Sequence, residues 1–257
     1  MTPFRRFKKV LRTLARRGGY DVVRFGPMRD EWIAQRALLA GVARPVIFDV
    51  GANEGQTLRS YARLFPEGHI HCFEPNPVPC RELERVAGGS PRVTIHRVAL
   101  ADAAGKARFH THPRFTHEGS LYRRPADRKA YFNPAFELTE EFEVEIATID
   151  SICAGLGIER LHLLKLDIQG GEFRALRGAE RMLSEGRIDL IFAETSFAEI
   201  YEAAPLFPRI DALLAEHGFA LYSFFNLFYA RDGQLRYCDA LFLRSAIRRQ
   251  VLDTLPS

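Results

Sequence analysis

Residues 47–57 read Ile-Phe-Asp-Val-Gly-Ala-Asn-Glu-Gly-Gln-Thr (IFDVGANEGQT). An apolar run meets an acid and then a glycine, and a second glycine follows four positions on. That order predicts a strand turning sharply into a helix. Gly51 lets the backbone turn and approach a ligand, and Gly55 removes a side chain where the helix begins. Asn53 tolerates a left-handed conformation and offers an amide. The third glycine of a dinucleotide fingerprint is absent, which weakens the reading of a pyrophosphate on the helix N-terminus.

From about residue 45 onward, short apolar strands alternate with amphipathic helices. The pattern predicts a mostly parallel sheet with helices on both faces. Pro45–Val50, His69–Glu74, Val93–Val98, Leu161–Asp167 and Ile188–Glu194 read as strands. Helices are expected up to about Phe65, from Pro77 to the Gly88-Gly89 stop, through Phe173–Leu183, and over 205–217. Phe219–Phe225, Leu227–Ala230 and Tyr237–Arg244 follow with no helix between them, so an antiparallel hairpin should close the sheet. Phe224, Phe225, Phe228 and Tyr229 are expected in its core. Between about 105 and 147 the alternation breaks. That long insertion, with a turn at Asn133-Pro134, reads as a lid or substrate-facing region.

The chain of 257 residues is 47% hydrophobic, enough for one large α/β domain at 45–250 behind a basic arm at 1–44. No run of about 18 apolar residues is present to span a bilayer. Cys72, Cys80, Cys153 and Cys238 form no CxxC pair, which argues against a disulfide framework or zinc knuckle and fits a reducing, cytoplasmic setting. The net charge of +4 is unevenly placed: residues 1–24 hold eight basic groups against one acid, leaving 28 basic and 31 acidic groups in the rest. Phe4, Phe7, Val10, Leu11 and Leu14 recur at helical spacing in that arm. Packing on the domain is its plainer reading, and peripheral contact with an anionic membrane the second. Nucleic acid ranks third, since no aromatic-basic alternation follows.

Ligands of open parallel sheets sit beyond the strand carboxyl ends, where the strand order reverses. Acids close these runs repeatedly: Asp49, Glu74, Asp102, Asp167 and Glu194. Asp49 suits a ligand bearing positive charge, and Glu74 is placed to accept hydrogen bonds from ribose hydroxyls. S-adenosyl-L-methionine offers a sulfonium, an α-amino group and a ribose, with no phosphate.

The ordered stretches Phe48–Gln56, Phe73–Pro77, Val98–Asp102, Thr148–Asp150, Leu164–Glu172 and Ile191–Glu194 resemble the successive motifs of the FkbM-type class I, S-adenosyl-L-methionine-dependent methyltransferases. The resemblance covers roughly residues 45–244. It implies a Rossmann-like fold: a mostly parallel seven-stranded sheet, helices on both faces and an antiparallel C-terminal hairpin. It also implies methyl transfer to a hydroxyl oxygen of a sugar, polyketide or other natural product. On it, Asp49, Gly51, Asn53 and Gly55 surround the methionine end of the cofactor, with Gln56 and Thr57 in reach. Glu74 takes the ribose, Pro75 and Asn76 shape the wall, and the loop holding Ala101 and Asp102 meets the adenine, Asp102 at its exocyclic amine.

The acceptor should lie around Lys165, Asp167, Gln169, Glu172 and Glu194. Asp167 is the first choice as proton acceptor, with Lys165 orienting it. The plainer reading has Asp167 capping the next helix and Glu172 as its first-turn acid; the two roles are compatible. His117, near Ser120-Leu121, is a second candidate base. Asp150, Asp167 and Glu194 are oxygen donors suited to Mg2+ or Ca2+, although nothing in their spacing demands an ion. His110 and His112 read as surface residues. The competing readings are an NAD-dependent oxidoreductase and a catalytically silent binding protein on the same fold.

Overall fold

The computed structural model describes residues 30–112, 114–125 and 140–247. The amphipathic arm around Phe4–Leu14 and the Asn133-Pro134 turn lie outside them. Seven strands form the main sheet: β1 (Val46–Val50), β2 (His69–Phe73), β3 (Val93–His96), β7 (Leu161–Leu166), β8 (Ile188–Ser196), β9 (Phe219–Tyr229) and β10 (Leu235–Arg244). Their spatial order is β3-β2-β1-β7-β8-β10-β9. All neighbours pair in parallel except β10, which runs antiparallel to both β8 and β9. The order reverses between β1 and β7, and that crevice is where a ligand is expected.

The two-residue period of β1 and β7 divides the core. Ile47 and Leu163 pack with helices α1 (Glu31–Leu38), α2 (Gln56–Leu64) and α3 (Pro77–Ala87). Phe48, Val50, Leu164 and Leu166 face the opposite layer, with α4 (Ile149–Leu156), α5 (Glu172–Arg177), α6 (Glu180–Ser184) and α7 (Phe207–Glu216). Helix α1 is tied to the core by Tyr61, whose buried hydroxyl donates to Gln35 Oε1 at 3.0 Å.

Three elements depart from the expected pattern. The 105–147 stretch is not irregular throughout: β5 (Gly105–Thr111) and β6 (Glu140–Ala147) pair antiparallel, and β6 also pairs with the short β4 (Ala99–Leu100). Phe109, Val144 and Ala99 form a small core inside this side sheet, while Lys106 and Arg108 pair with Glu143 and Glu141 on its outer face. The expected single helix over 173–183 is two, α5 and α6, meeting at Gly178. A Cβ there would come within 2.0 Å of the Ala101 carbonyl oxygen, so the chain needs glycine and breaks its helix to pass. The two expected strands on either side of Asn226 are one continuous β9, kinked where Asn226 takes φ +49° beside register shifts in β10.

Candidate active site

The glycine turn is built as a close crossing of two backbones. Gly51 has φ +77°, and a Cβ would meet the Asp167 carbonyl oxygen at 1.9 Å, so only glycine lets the end of β1 lie against the end of β7. Asn53 follows with φ +45°, and its N–H donates to Glu74 Oε2 at 3.0 Å. The other carboxylate oxygen of Glu74 accepts the Asn76 N–H at 2.9 Å. Burial pushes the Glu74 carboxyl up to about 7, with those two N–H donors pulling the other way.

Asp49 and Lys165 face one another across β1 and β7. Asp49 is wholly buried, and its carboxylate is 3.1 Å from Lys165 Nζ. Burial raises the Asp49 carboxyl, with the Lys165 charge opposing. Burial alone would depress Lys165, but Asp49 and Asp167 outweigh it and hold the ammonium above its usual range. Lys165 also donates to the Gly51 and Val50 carbonyls at 3.0 and 3.3 Å. It therefore fastens the turn from beneath.

Two cavities open above these residues. The first, about 230 Å³, is lined by Gly51, Asn53, Gln56, Thr57, Glu74 and Pro75 along one wall. Phe73, Val98, Leu100 and Leu121 supply apolar lining. The second, about 490 Å³, includes Gln169, Glu194, Tyr201, Phe228 and Tyr237. His117 and Asp167 line both. The two candidate bases thus stand where the cavities meet.

Asp167 is held from both sides. Lys165 Nζ is 3.6 Å from Oδ2, and Gln169 Nε2 donates to Oδ1 at 3.1 Å. Gln169 takes the left-handed φ of +55°. Its amide nitrogen is also 3.4 Å from Glu194, and its amide oxygen accepts the Tyr201 hydroxyl at 2.6 Å. Burial first, then nearby Asp167 and Glu172, drives the Glu194 carboxyl well above its usual range. The insertion supplies a third wall: Thr116 Oγ1 donates to Asn53 Oδ1 at 3.0 Å, and Ser120 Oγ to the Gln169 carbonyl at 2.7 Å.

Several expected site residues do not line either cavity. Asp49 sits below the first as the counter-charge of Lys165. Gly55 has φ +84° at the start of α2 and packs toward Val86 and Leu83. Asn76 spends its side-chain oxygen capping α3 through the Val78 N–H. Ala101 is buried against Gly178, and Asp102 turns to Arg174 in an outward ion pair of 2.7 Å, away from the expected adenine contact. Glu172 accepts the Ile168 N–H at 2.9 Å and braces the 168–172 turn; burial pushes its carboxyl up to about 7.

The three expected ion donors do not come together: Asp167 and Glu194 both reach Gln169, but Asp150 does not join them. Asp150 uses both oxygens on the Arg181 and Met182 N–H groups that open α6, and among the described residues no group of three His, Cys, Asp or Glu is placed to hold a metal. His110 is not a surface residue: it is 6% exposed in β5, with Nδ1 3.1 Å from Glu141. Phe228 is the reverse case, expected in the core but 48% exposed on the second cavity. All four cysteines are free and buried.

This strand order, with a crevice at its reversal and a carboxylate at the end of β2, is the Rossmann-like arrangement expected of a class I methyltransferase. The chain belongs to the FkbM methyltransferase family: residues 49–221 match the methyltransferase FkbM domain. It is accordingly an S-adenosyl-L-methionine-dependent enzyme. Among its relatives, the 2-O-methyltransferase NoeI of Sinorhizobium fredii is 29% identical over 66% of this chain and 71% of its own. The 31-O-demethyl-FK506 methyltransferase FkbM of Streptomyces tacrolimicus is 28% identical over 68% and 73%. A solved structure of methyltransferase FkbM from Methylobacillus flagellatus KT aligns at 15% identity and a TM-score of 0.46, over 80% of this chain and 47% of that one. No described helix is long and apolar enough to cross a membrane.

Proposed function

We propose that this methyltransferase methylates a hydroxyl oxygen of a sugar, glycan or other natural product, with Asp167 as the group that receives the hydroxyl proton. The observation that carries the reading is the position of Asp167 on the wall shared by the two cavities. The first cavity suits S-adenosyl-L-methionine: its apolar lining fits a purine, Glu74 a ribose diol, and the 51–57 turn the charged amino-acid end. When bound, the cofactor supplies a methyl group made electrophilic by its sulfonium. The acceptor enters the second cavity. The Asp167 carboxylate would take up the hydroxyl proton as the acceptor oxygen is methylated. Lys165 and Gln169 fix that carboxylate in place, and alignment of the reacting atoms supplies much of the acceleration. His117, at the same junction but more exposed, is the secondary candidate for the proton.

The two named O-methyltransferase relatives support oxygen as the methylated atom. Asp150 is engaged by the N–H groups that open α6 and does not join Asp167 and Glu194, so the proposed proton transfer relies on side chains alone. The near-neutral charge of the body supports a small-molecule or glycan partner over nucleic acid, and the free cysteines support a cytoplasmic setting. Membrane contact through the basic arm rests on its charge alone. The proposed catalytic domain spans 45–250, with its insertion at 105–147. The test is incubation of the protein with methyl-labelled S-adenosyl-L-methionine and small-molecule extracts, read by mass spectrometry. Label should enter a hydroxyl as a methyl ether, and Asp167→Asn should lower the rate while leaving the melting temperature intact. Label appearing on nitrogen or carbon, or wild-type rates from Asp167→Asn, would overturn the assignment.

A further inference from the structure

A side-chain amide has two unlike ends: its nitrogen only donates and its oxygen only accepts. In Gln169 the nitrogen lies 3.1 Å from Asp167 Oδ1 and 3.4 Å from Glu194 Oε2, so both of its N–H groups are engaged by carboxylates. Whatever holds the oxygen end decides whether the amide stays on them.

That holder is Tyr201, in the segment that follows β8 and 2% exposed. Its hydroxyl donates to Gln169 Oε1 at 2.6 Å. Arg124 gives the bond its direction. A guanidinium can only donate, and Arg124 Nη2 reaches the Tyr201 oxygen at 3.4 Å while Cζ lies 5.5 Å from the ring centroid. The Tyr201 hydrogen is thereby turned toward Gln169. Burial raises the Tyr201 hydroxyl above its ordinary range against the opposing charge of Arg124, so it keeps its proton and is no base itself. The insertion grips this segment at three further points. Arg124 pairs with Glu118, the Glu202 N–H donates to the Arg123 carbonyl at 2.8 Å, and Ser120 Oγ donates to the Gln169 carbonyl at 2.7 Å.

We infer that Tyr201 is a positioning residue for methyl transfer: through the Gln169 amide it holds the Asp167 carboxylate at the junction of the two cavities, with Arg124 of the insertion directing its hydroxyl. The inference rests on the reading of Asp167 as proton acceptor and adds what fixes that carboxylate. A tyrosine that only filled the core would need its ring and not its oxygen.

Tyr201→Phe draws that distinction, since the ring stays and the hydroxyl goes. Two measurements on the full chain read it. In protein carrying isotope-labelled glutamine and held with S-adenosylhomocysteine, the side-chain NMR signal absent from Gln169→Met identifies Gln169. Its amide protons should exchange with water about three- to tenfold faster in Tyr201→Phe than in the wild type, the range of one lost hydrogen bond. Transfer of labelled methyl into small-molecule extracts should slow by about the same factor. The calorimetric Kd for S-adenosyl-L-methionine should hold, because Tyr201 lines the second cavity and not the first. Because Tyr201 acts through Gln169, adding Tyr201→Phe to Gln169→Met should slow transfer no further. Unchanged exchange at Gln169, rate losses that add in the double variant, or an equal rise in cofactor Kd would each overturn the inference. The exchange measurement needs no acceptor and so separates the failures. Faster exchange in Tyr201→Phe beside wild-type rates from Asp167→Asn would leave Tyr201 holding Gln169 and overturn the proton assignment instead.

Discussion

Gln169 shows how a single side chain in the second cavity can hold the wall that the two cavities share. Its amide nitrogen donates toward Asp167 and Glu194 while its oxygen accepts from Tyr201. Glutamate has the same shape but no donor when ionised, and it would set a third carboxylate beside two others. Gln169→Glu should therefore lower kcat about tenfold or more, since loss of alignment at the reacting atoms has effects of that size. Calorimetry should show an unchanged Kd for S-adenosyl-L-methionine, because Gln169 is not on the cofactor wall; equal losses in both would mean that the turn itself had moved. Glu74 gives a prediction with a pH sign. Burial lifts its carboxyl from an ordinary 4.5 to about 7, and the ionised form is the better acceptor for ribose hydroxyls. Cofactor affinity should therefore climb as pH rises toward and through 7, by about tenfold per unit below it, and level off above. Ligand-free stability should move oppositely, falling between about 4.5 and 7, where the folded carboxyl keeps a proton that the unfolded chain releases. Calorimetric titrations from pH 5.5 to 8.5 check the first sign, and a flat profile in the wild type would remove ionised Glu74 from ribose binding. Glu74→Gln should bind weakly with no such rise. The carboxylate of Glu74 was legible in the sequence because it ends an apolar strand. The inward burial of Asp49 was not, since a strand-end acid reads the same whether it faces ligand or lysine.

Among the elements, the inserted side sheet carries the most information beyond the strand–helix pattern. Its β6 alternates Phe142, Val144 and Ile146 with Glu141, Glu143 and Glu145, a half-buried strand pattern that is legible in the sequence. The concentration of histidines in the region draws attention to metal or lid roles instead, and burial of His110 in β5 follows from pairing with a strand far along the chain. Helix α4 carries its own signal, a capping box in which the Thr148 hydroxyl accepts the Ser151 N–H at 3.0 Å. The break between α5 and α6 has no local signal beyond Gly178 itself, because its cause is the Ala101 backbone some 77 positions earlier. The insertion meets the cofactor turn through Thr116, whose hydroxyl holds the Asn53 side chain. Thr116→Val keeps the shape and removes that bond. A typical net hydrogen bond contributes about 0.5–1.5 kcal/mol, so the Kd for S-adenosyl-L-methionine should rise about two- to tenfold. Unaltered affinity by calorimetry would show that the insertion only roofs the cavity and does not tension its turn.

At the scale of the whole molecule, the strand reversal leaves two adjacent cavities, the proposed seats of cofactor and acceptor. β1 and β2 reach the first cavity, β8, β9 and β10 reach the second, and β7 between them leads into Asp167. The sheet order therefore places Asp167, the proposed proton acceptor, at a junction of two cavities rather than at the bottom of one. This arrangement also separates the methyltransferase from an oxidoreductase on a similar sheet. The crossing of Gly51 over the Asp167 carbonyl fills the space beneath the turn, and Lys165 occupies its carbonyls from below. The first wall then offers a carboxylate and a short polar turn, with no glycine-rich seat for a pyrophosphate. Ligand-linked melting reads this difference on the intact chain. At a hundred times its Kd, a ligand specific for the folded state stabilises it by about 2.7 kcal/mol. For a domain of this size that corresponds to a rise of about 5–10 °C. S-adenosyl-L-methionine and S-adenosylhomocysteine should both produce such a rise, and NAD at the same concentration should leave the transition where it was. A shift with NAD and none with the sulfur compounds would mean that the first cavity has been assigned to the wrong ligand, and with it the direction of approach to Asp167.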